Sequence, residues 1–338
     1  MRTDLQTLLA ERDWILADGA TGTNLFNAGL EAGEAPELWN VDEPEKIRDL
    51  YRGAVDAGSD LFLTNSFGGT SARMKLHDAQ DRVYELNKAA AVLAREIADA
   101  APRPVVVAGS MGPTGEILEP VGTLSIEDAA AMFAEQARGL VDGGVDVLWA
   151  ETISAPEELM AASLGIQTTG APWCCTMSFD TAGRTMMGTT SEAMVQLIET
   201  LPHKPLAFGA NCGVGASDLL RTVRGMSMAA PTLPLIAKGN AGIPKFHEGH
   251  IHYDGTPELM ADYAALARDS GAKIIGGCCG TGPEHLKAMR ARLEAHDKAS
   301  EAPALELLAA TLGGFSSPTD GTNAGADPAP RARRRRRG

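Results

Sequence analysis

Short apolar runs alternate with longer, Ala-rich stretches along most of the chain. The apolar runs lack a polar residue at every second place, the pattern of a strand covered on both faces in a parallel sheet. They predict strands at residues 14–17, 60–64, 105–109, 147–150, 174–178, 207–210, 235–237 and 273–276. Helical periodicity lies between them at 44–57, 81–98, 126–139, 157–164, 191–201, 217–228 and 256–270. Such alternation is the mark of βα units on a parallel sheet. Eight units predict an α/β fold of the (β/α)8 TIM barrel type, a single domain over residues 1–298.

A doubly wound open sheet would concentrate its ligand loop at one switch point. Here Gly-rich or polar loops follow nearly every predicted strand, among them residues 18–24, 65–70, 110–115, 211–213, 238–242 and 278–282. Barrel enzymes build their active sites from those strand-end loops. Past about His296 the periodicity fails. Residues 304–312 predict a short amphipathic helix, whereas 313–330 are rich in Gly, Pro, Ser, Thr and Asp and are expected to be flexible. Residues 299–338 thus form a tail ending in an Arg run at 333–337, expected to be solvated, with docking to an acidic partner or RNA as the alternative.

Composition narrows the setting. A chain of 338 residues with 44% hydrophobic content can bury one large core. No apolar run is long enough to span a bilayer, and the first residues lack the basic-then-apolar layout of a signal peptide, so a cytoplasmic location is expected. The net charge is −14; without the six arginines of the last eight residues the body has 24 basic against 44 acidic residues, or −20. Such a body argues against nucleic acid as the main partner. Five cysteines, four of them in adjacent pairs, do not form an extracellular disulfide framework and suit reduced thiols or a metal.

Position singles out three of those thiols. Cys174 and Cys175 fall inside a predicted strand and read as inert core residues. Cys212, Cys278 and Cys279 stand at strand ends, where three thiols converging on the barrel mouth would hold Zn²⁺ and leave a fourth position open, as in catalytic zinc sites. Adjacent cysteines on an extended strand point to opposite faces, so both reach one metal only if the chain turns there; Gly276, Gly277 and Gly280 permit that turn. A redox dithiol is the rival reading, weakened by the absence of a C-x-x-C spacing.

Glu151 closes an otherwise apolar strand, where a carboxylate is costly without a cation, and is the candidate for a substrate ammonium group, with a pair to a structural Arg or Lys as the alternative. Backbone N–H groups in the loop of Asp18 and Gly19, or at residues 110–112 beginning with Ser110, suit a substrate carboxylate. Residues 19–23 lack the lysine of a P-loop. Asn211, beside Cys212, is expected to orient a ligand from behind. His247, His250 and His252 lie in one short tract but lack a helical i, i+4 pair, and are expected in a polar loop without a metal.

These motifs carry a resemblance. Asp18-Gly19-Ala20-Thr21-Gly22-Thr23, Asn65-Ser66-Phe67-Gly68-Gly69-Thr70, Ala150-Glu151-Thr152, Gly209-Ala210-Asn211-Cys212 and Gly276-Gly277-Cys278-Cys279-Gly280-Thr281 occur in the order found in zinc-dependent homocysteine S-methyltransferases. The sequence from about Trp14 to Leu293 resembles that family, which includes betaine-homocysteine methyltransferase, S-methylmethionine-dependent enzymes and the homocysteine module of cobalamin-dependent methionine synthase. The resemblance implies a barrel with zinc on Cys212, Cys278 and Cys279, substrate contacts from the loop of Asp18 and Gly19, and Glu151 on the homocysteine amine. It implies a methyltransferase making methionine, in which a zinc-bound homocysteine thiolate attacks a methyl donor in line.

The donor stays open. Betaine would need an aromatic wall, for which Phe67 and Trp39 are candidates, with a core position as the equal alternative for both. The loop over residues 65–76 resembles the cobalamin-dependent module more than the betaine enzyme, which carries a Tyr-bearing version. S-methylmethionine and methylcobalamin are the other candidates. Too few residues follow Leu293 for a cobalamin or folate domain, so methylcobalamin is expected to arrive on a separate corrinoid protein. Two alternatives remain: a homocysteine-binding subunit inactive by itself, and a non-catalytic barrel with a closed structural zinc.

Overall fold

The computed structural model describes residues 2–321 except Ala230, Pro244, Glu248 and Gly249, with only the backbone at 245–247 and 250–252. Eight strands form one parallel sheet: β1 (Ile15–Leu16), β2 (Leu61–Leu63), β3 (Val106–Met111), β4 (Val147–Ile153), β5 (Trp173–Met177), β6 (Ala207–Cys212), β7 (Leu235–Gly239) and, after an antiparallel hairpin of β8 (Lys245–His247) and β9 (His250–His252), β10 (Ala272–Gly277). Their order is β1-β10-β7-β6-β5-β4-β3-β2, with helices between them, a nearly closed (β/α)8 TIM barrel. All eight predicted barrel strands are present. The hairpin replaces the loop expected around the His tract, whose side chains lie outside the described residues.

The seam between β1 and β2 is bridged by carboxylates. Asp60 N donates to Leu16 O at 2.7 Å, and the Asp60 side chain accepts from Leu16 N at 3.0 Å. Farther along, Asp18 Oδ2 accepts from Leu63 N at 2.8 Å. Two aspartates thus meet backbone donors that a longer β1 would have paired with carbonyls.

The barrel interior is filled from alternating strand positions, among them Ile15, Leu61, Val106, Val147, Trp149, Cys174, Ile236 and Ile274. Cys175, Phe208 and Ile275 face the helices instead. Cys174 and Cys175 are both fully buried, and burial pushes both thiols well up, in keeping with inert core residues.

The segment expected to be a flexible tail is, as far as residue 321, folded onto the barrel wall. The helix Leu305–Leu312 buries Leu308 and Leu312. Behind it, Arg221 stacks on Phe315 at 4.4 Å and donates to Ser317 O at 2.8 Å, while Asp218 accepts from Ser316 N at 2.9 Å. Asp218 and Arg221 are themselves a buried ion pair at 2.7 Å. A Gly- and Ser-rich composition mispredicted this stretch because its anchors sit some hundred residues away, on the helix Ala216–Met228. The Arg run lies outside the described residues. Among the described residues no helix is long and apolar enough to cross a membrane.

Candidate functional site

Cys212 is the last residue of β6, and Cys278 and Cys279 directly follow β10, two strands away across β7. Their sulfurs all lie within 4.8 Å of one another, with Cys212 Sγ and Cys279 Sγ 4.0 Å apart. Three thiolates on one tetrahedral zinc, each at about 2.3 Å, stand about 3.8 Å apart, so the cluster fits that ion with small side-chain adjustments. Among the described residues it is the one group of three or more His, Cys, Asp or Glu with ligand atoms this close. Hydrogen bonds from the Cys212 and Cys278 thiols hold Cys279 far below the ordinary thiol range, and as their donor Cys212 is pushed up.

The backbone bends to bring them together. Cys212 has φ +60°, a left-handed conformation that costs a non-glycine residue roughly 1–2 kcal/mol. After Cys279 the chain turns at Gly280, with φ +77°. Gly277 is needed for close approach, since a Cβ there would fall 2.3 Å from the Thr281 side chain.

Asn211 binds this arrangement from behind. Fully buried, its Oδ1 accepts from Thr152 N at 2.9 Å and from Thr176 Oγ1 at 2.7 Å. Its Nδ2 donates to Thr152 Oγ1 at 2.8 Å and faces Cys278 Sγ at 3.8 Å. Thr152 is also left-handed, with φ +61°, and lies with Glu151 where the β4–β5 register shifts. That irregularity turns Glu151 toward the mouth.

Glu151 accepts from Ser110 Oγ at 2.5 Å. Burial raises its carboxyl to about 7, against the attraction of Lys238. Lys238, at the end of β7, is buried and pairs with Asp18 at 2.6 Å. Lys238 was missed in the sequence, although it closes an apolar strand just as Glu151 does.

Asp18, Gly19, Phe67, Glu151 and the three cysteines line one cavity of about 340 Å³, together with Lys238, Glu37, Arg73 and His77. Glu37 is almost fully buried and accepts from Gly68 N at 2.5 Å; burial raises its carboxyl, with Arg73 and His77 pulling it back. The amides of Ser110 and Gly112 are not free for a carboxylate: Ser110 N donates to Thr64 Oγ1 at 3.0 Å and Gly112 N to Phe67 O at 2.8 Å. Ser110 reaches the site through its hydroxyl instead. Trp39 is also corrected, being a buried residue of the outer core with Lys46 over its ring at 4.2 Å. It does not line the cavity.

A family model described as homocysteine S-methyltransferase matches residues 15–293, the whole span that carries the cavity. The chain belongs to the homocysteine S-methyltransferase family. Similar curated members are the methionine synthases of Mycobacterium leprae (strain TN), 30% identical over 305 residues, and of Mycobacterium tuberculosis (strain ATCC 25618 / H37Rv), 29% identical over the same length. Each match covers 86% of this chain and 25% of the relative, so the chain spans about a quarter of their length. The homocysteine methyltransferase MmuM from Escherichia coli, solved in apo, oxidised and metallated forms, is 26–27% identical with TM-scores of 0.67–0.70. Those matches cover 85–86% of this chain and 99–100% of MmuM.

Proposed function

We propose that this chain methylates homocysteine to methionine with zinc held by Cys212, Cys278 and Cys279. The observation that carries the reading is the three-sulfur cluster opening into the cavity that also holds Glu151. Bound there, zinc would act as a Lewis acid that keeps a thiol substrate in its nucleophilic thiolate form at neutral pH. Three protein ligands leave one coordination position for the substrate sulfur. The thiols must stay reduced to hold a metal, which suits the cytoplasm.

The chain's own residues position the reactants. Glu151, oriented by Ser110, takes the substrate ammonium; Asn211 fixes the thiol cluster; Asp18 and Gly19 shape the wall beside them. The substrate sulfur forms its new bond to the methyl carbon as the donor leaves with the electron pair of the broken bond. No general base is required once the sulfur has lost its proton. The catalytic unit is the barrel, residues 1–298, and no described residue after it lines the cavity.

The outer wall suits a small zwitterionic donor with its methyl on a cationic centre. Glu37 and the ring of Phe67 favour the cation, and Arg73 and His77 a carboxylate. Betaine and S-methylmethionine both meet that description. Kinship with methionine synthases favours a second reading, in which methylcobalamin arrives on a separate corrinoid protein. Methionine formation by the zinc-loaded protein, followed by mass spectrometry with homocysteine and each donor in turn, tests this. Turnover with betaine or S-methylmethionine supports the first reading; turnover with methylcobalamin alone supports the second. Absence of homocysteine binding would overturn both.

A further inference from the structure

Lys238 stands opposite Asn211 of β6 on one side and Gly276 of β10 on the other, so it rises between Cys212 and the Cys278–Cys279 turn. It is 2% exposed and lines the cavity. An ammonium group carries three N–H donors. Among the described residues its one hydrogen-bond partner is Asp18, whose other carboxylate oxygen is spent on Leu63 N. With the Trp149 ring 5.9 Å from Nζ on the interior side, a donor of this buried cation is still left for the cavity, and an unmet donor there is costly.

The rest of the cavity says which ligand would meet it. An amino acid carries its ammonium and carboxylate on one carbon, and so calls for an acid and a base side by side. Glu151 and Lys238 are that pair, both lining the cavity beside the thiols. Three competing amides are committed: those of Ser110 and Gly112 inside the fold, as described, and that of Ala20 to Thr281 O at 3.0 Å. Arg73 and His77 belong to the outer wall with Glu37. We infer that Lys238 is the receptor for the α-carboxylate of the thiol substrate, with Asp18 holding its Nζ in place; this rests on the homocysteine reading above.

The test is calorimetric and needs no methyl donor. Zinc-loaded protein is titrated with homocysteine and with 3-aminopropane-1-thiol, the same aminothiol without its carboxylate. The wild type is expected to bind homocysteine at least about tenfold more tightly, the value of a charge-assisted hydrogen bond. In Lys238→Met/Asp18→Asn, which removes both charges of the pair, the ratio of the two affinities is expected to fall toward one, any change at the Glu151 ammonium site being shared by both thiols. Asp18→Asn by itself retains the preference. A wild type without preference, or a double variant that keeps it, overturns the assignment while homocysteine binding stands. A wild type that binds neither thiol overturns the assignment together with the functional reading beneath it.

Discussion

Asp18 Oδ1 and Lys238 Nζ lie 2.6 Å apart although 220 residues separate them in sequence, and they join the first and seventh strands across β10. The same aspartate holds the β1–β2 seam through Leu63 N. Asp18→Ala therefore strands a buried ammonium and a backbone donor together. It is expected to lower stability by about 3–5 kcal/mol, the usual effect of breaking a buried pair. Asp18→Ala/Lys238→Met should recover much of that loss. Urea unfolding of the single and double variants checks the order; a double variant no more stable than the single would show that the pair is not the cause.

Cys279→Ala is expected to abolish stoichiometric zinc binding and methyl transfer while leaving the barrel intact, because the cluster joins loop ends outside the packed interior. Metal analysis after dialysis, alongside far-ultraviolet circular dichroism, measures both. A variant that still holds one zinc per chain and turns over would remove the site assignment.

Asn211→Ala removes the amide that ties Thr152 and Thr176 to the Cys278 turn. Losing a residue that orients metal ligands typically costs about 10–100-fold in metal affinity. Competition with a chromophoric chelator should show a loss in that range, with the three thiols still titratable. Wild-type affinity in this variant would reduce Asn211 to a core residue.

The carboxyl of Glu151, raised by burial to about 7, must be ionised to hold an ammonium. Homocysteine affinity is therefore expected to fall about tenfold per pH unit below about 7, and Glu151→Gln should weaken binding and remove this step. The stability effect has the opposite sign. A folded pKa above the unfolded value of 4.5 means that the proton contributes stability fully below 4.5 and loses it as pH rises through about 7. Glu151→Gln should thus gain stability over the parent at pH 8 but not at pH 4. Denaturant midpoints at both pH values, with binding titrations between pH 6 and 8, test the two halves separately.

The sequence by itself determined the architecture and which thiols and carboxylate would meet at the barrel mouth. Eight apolar runs with helical spacers have few ways to bury both faces except a closed parallel sheet, and all eight became strands. Paired cysteines flanked by glycines after the last run, with another at the end of the sixth, marked the sulfur cluster, and a carboxylate closing an apolar strand marked Glu151. Each is a local signal, carried by residue type and spacing. Only the tertiary structure decided how these atoms are held and what faces them. The Asp18–Lys238 pair, the Asn211 clamp, the Glu37 wall and the fastening of residues 315–317 to Asp218 and Arg221 depend on side chains far apart in sequence. The left-handed turns at Thr152 and Cys212 have no glycine to announce them. Hydrogen bonds and ion pairs form between whatever the closed barrel brings within reach, so their partners follow from register and closure, which no single stretch of sequence encodes.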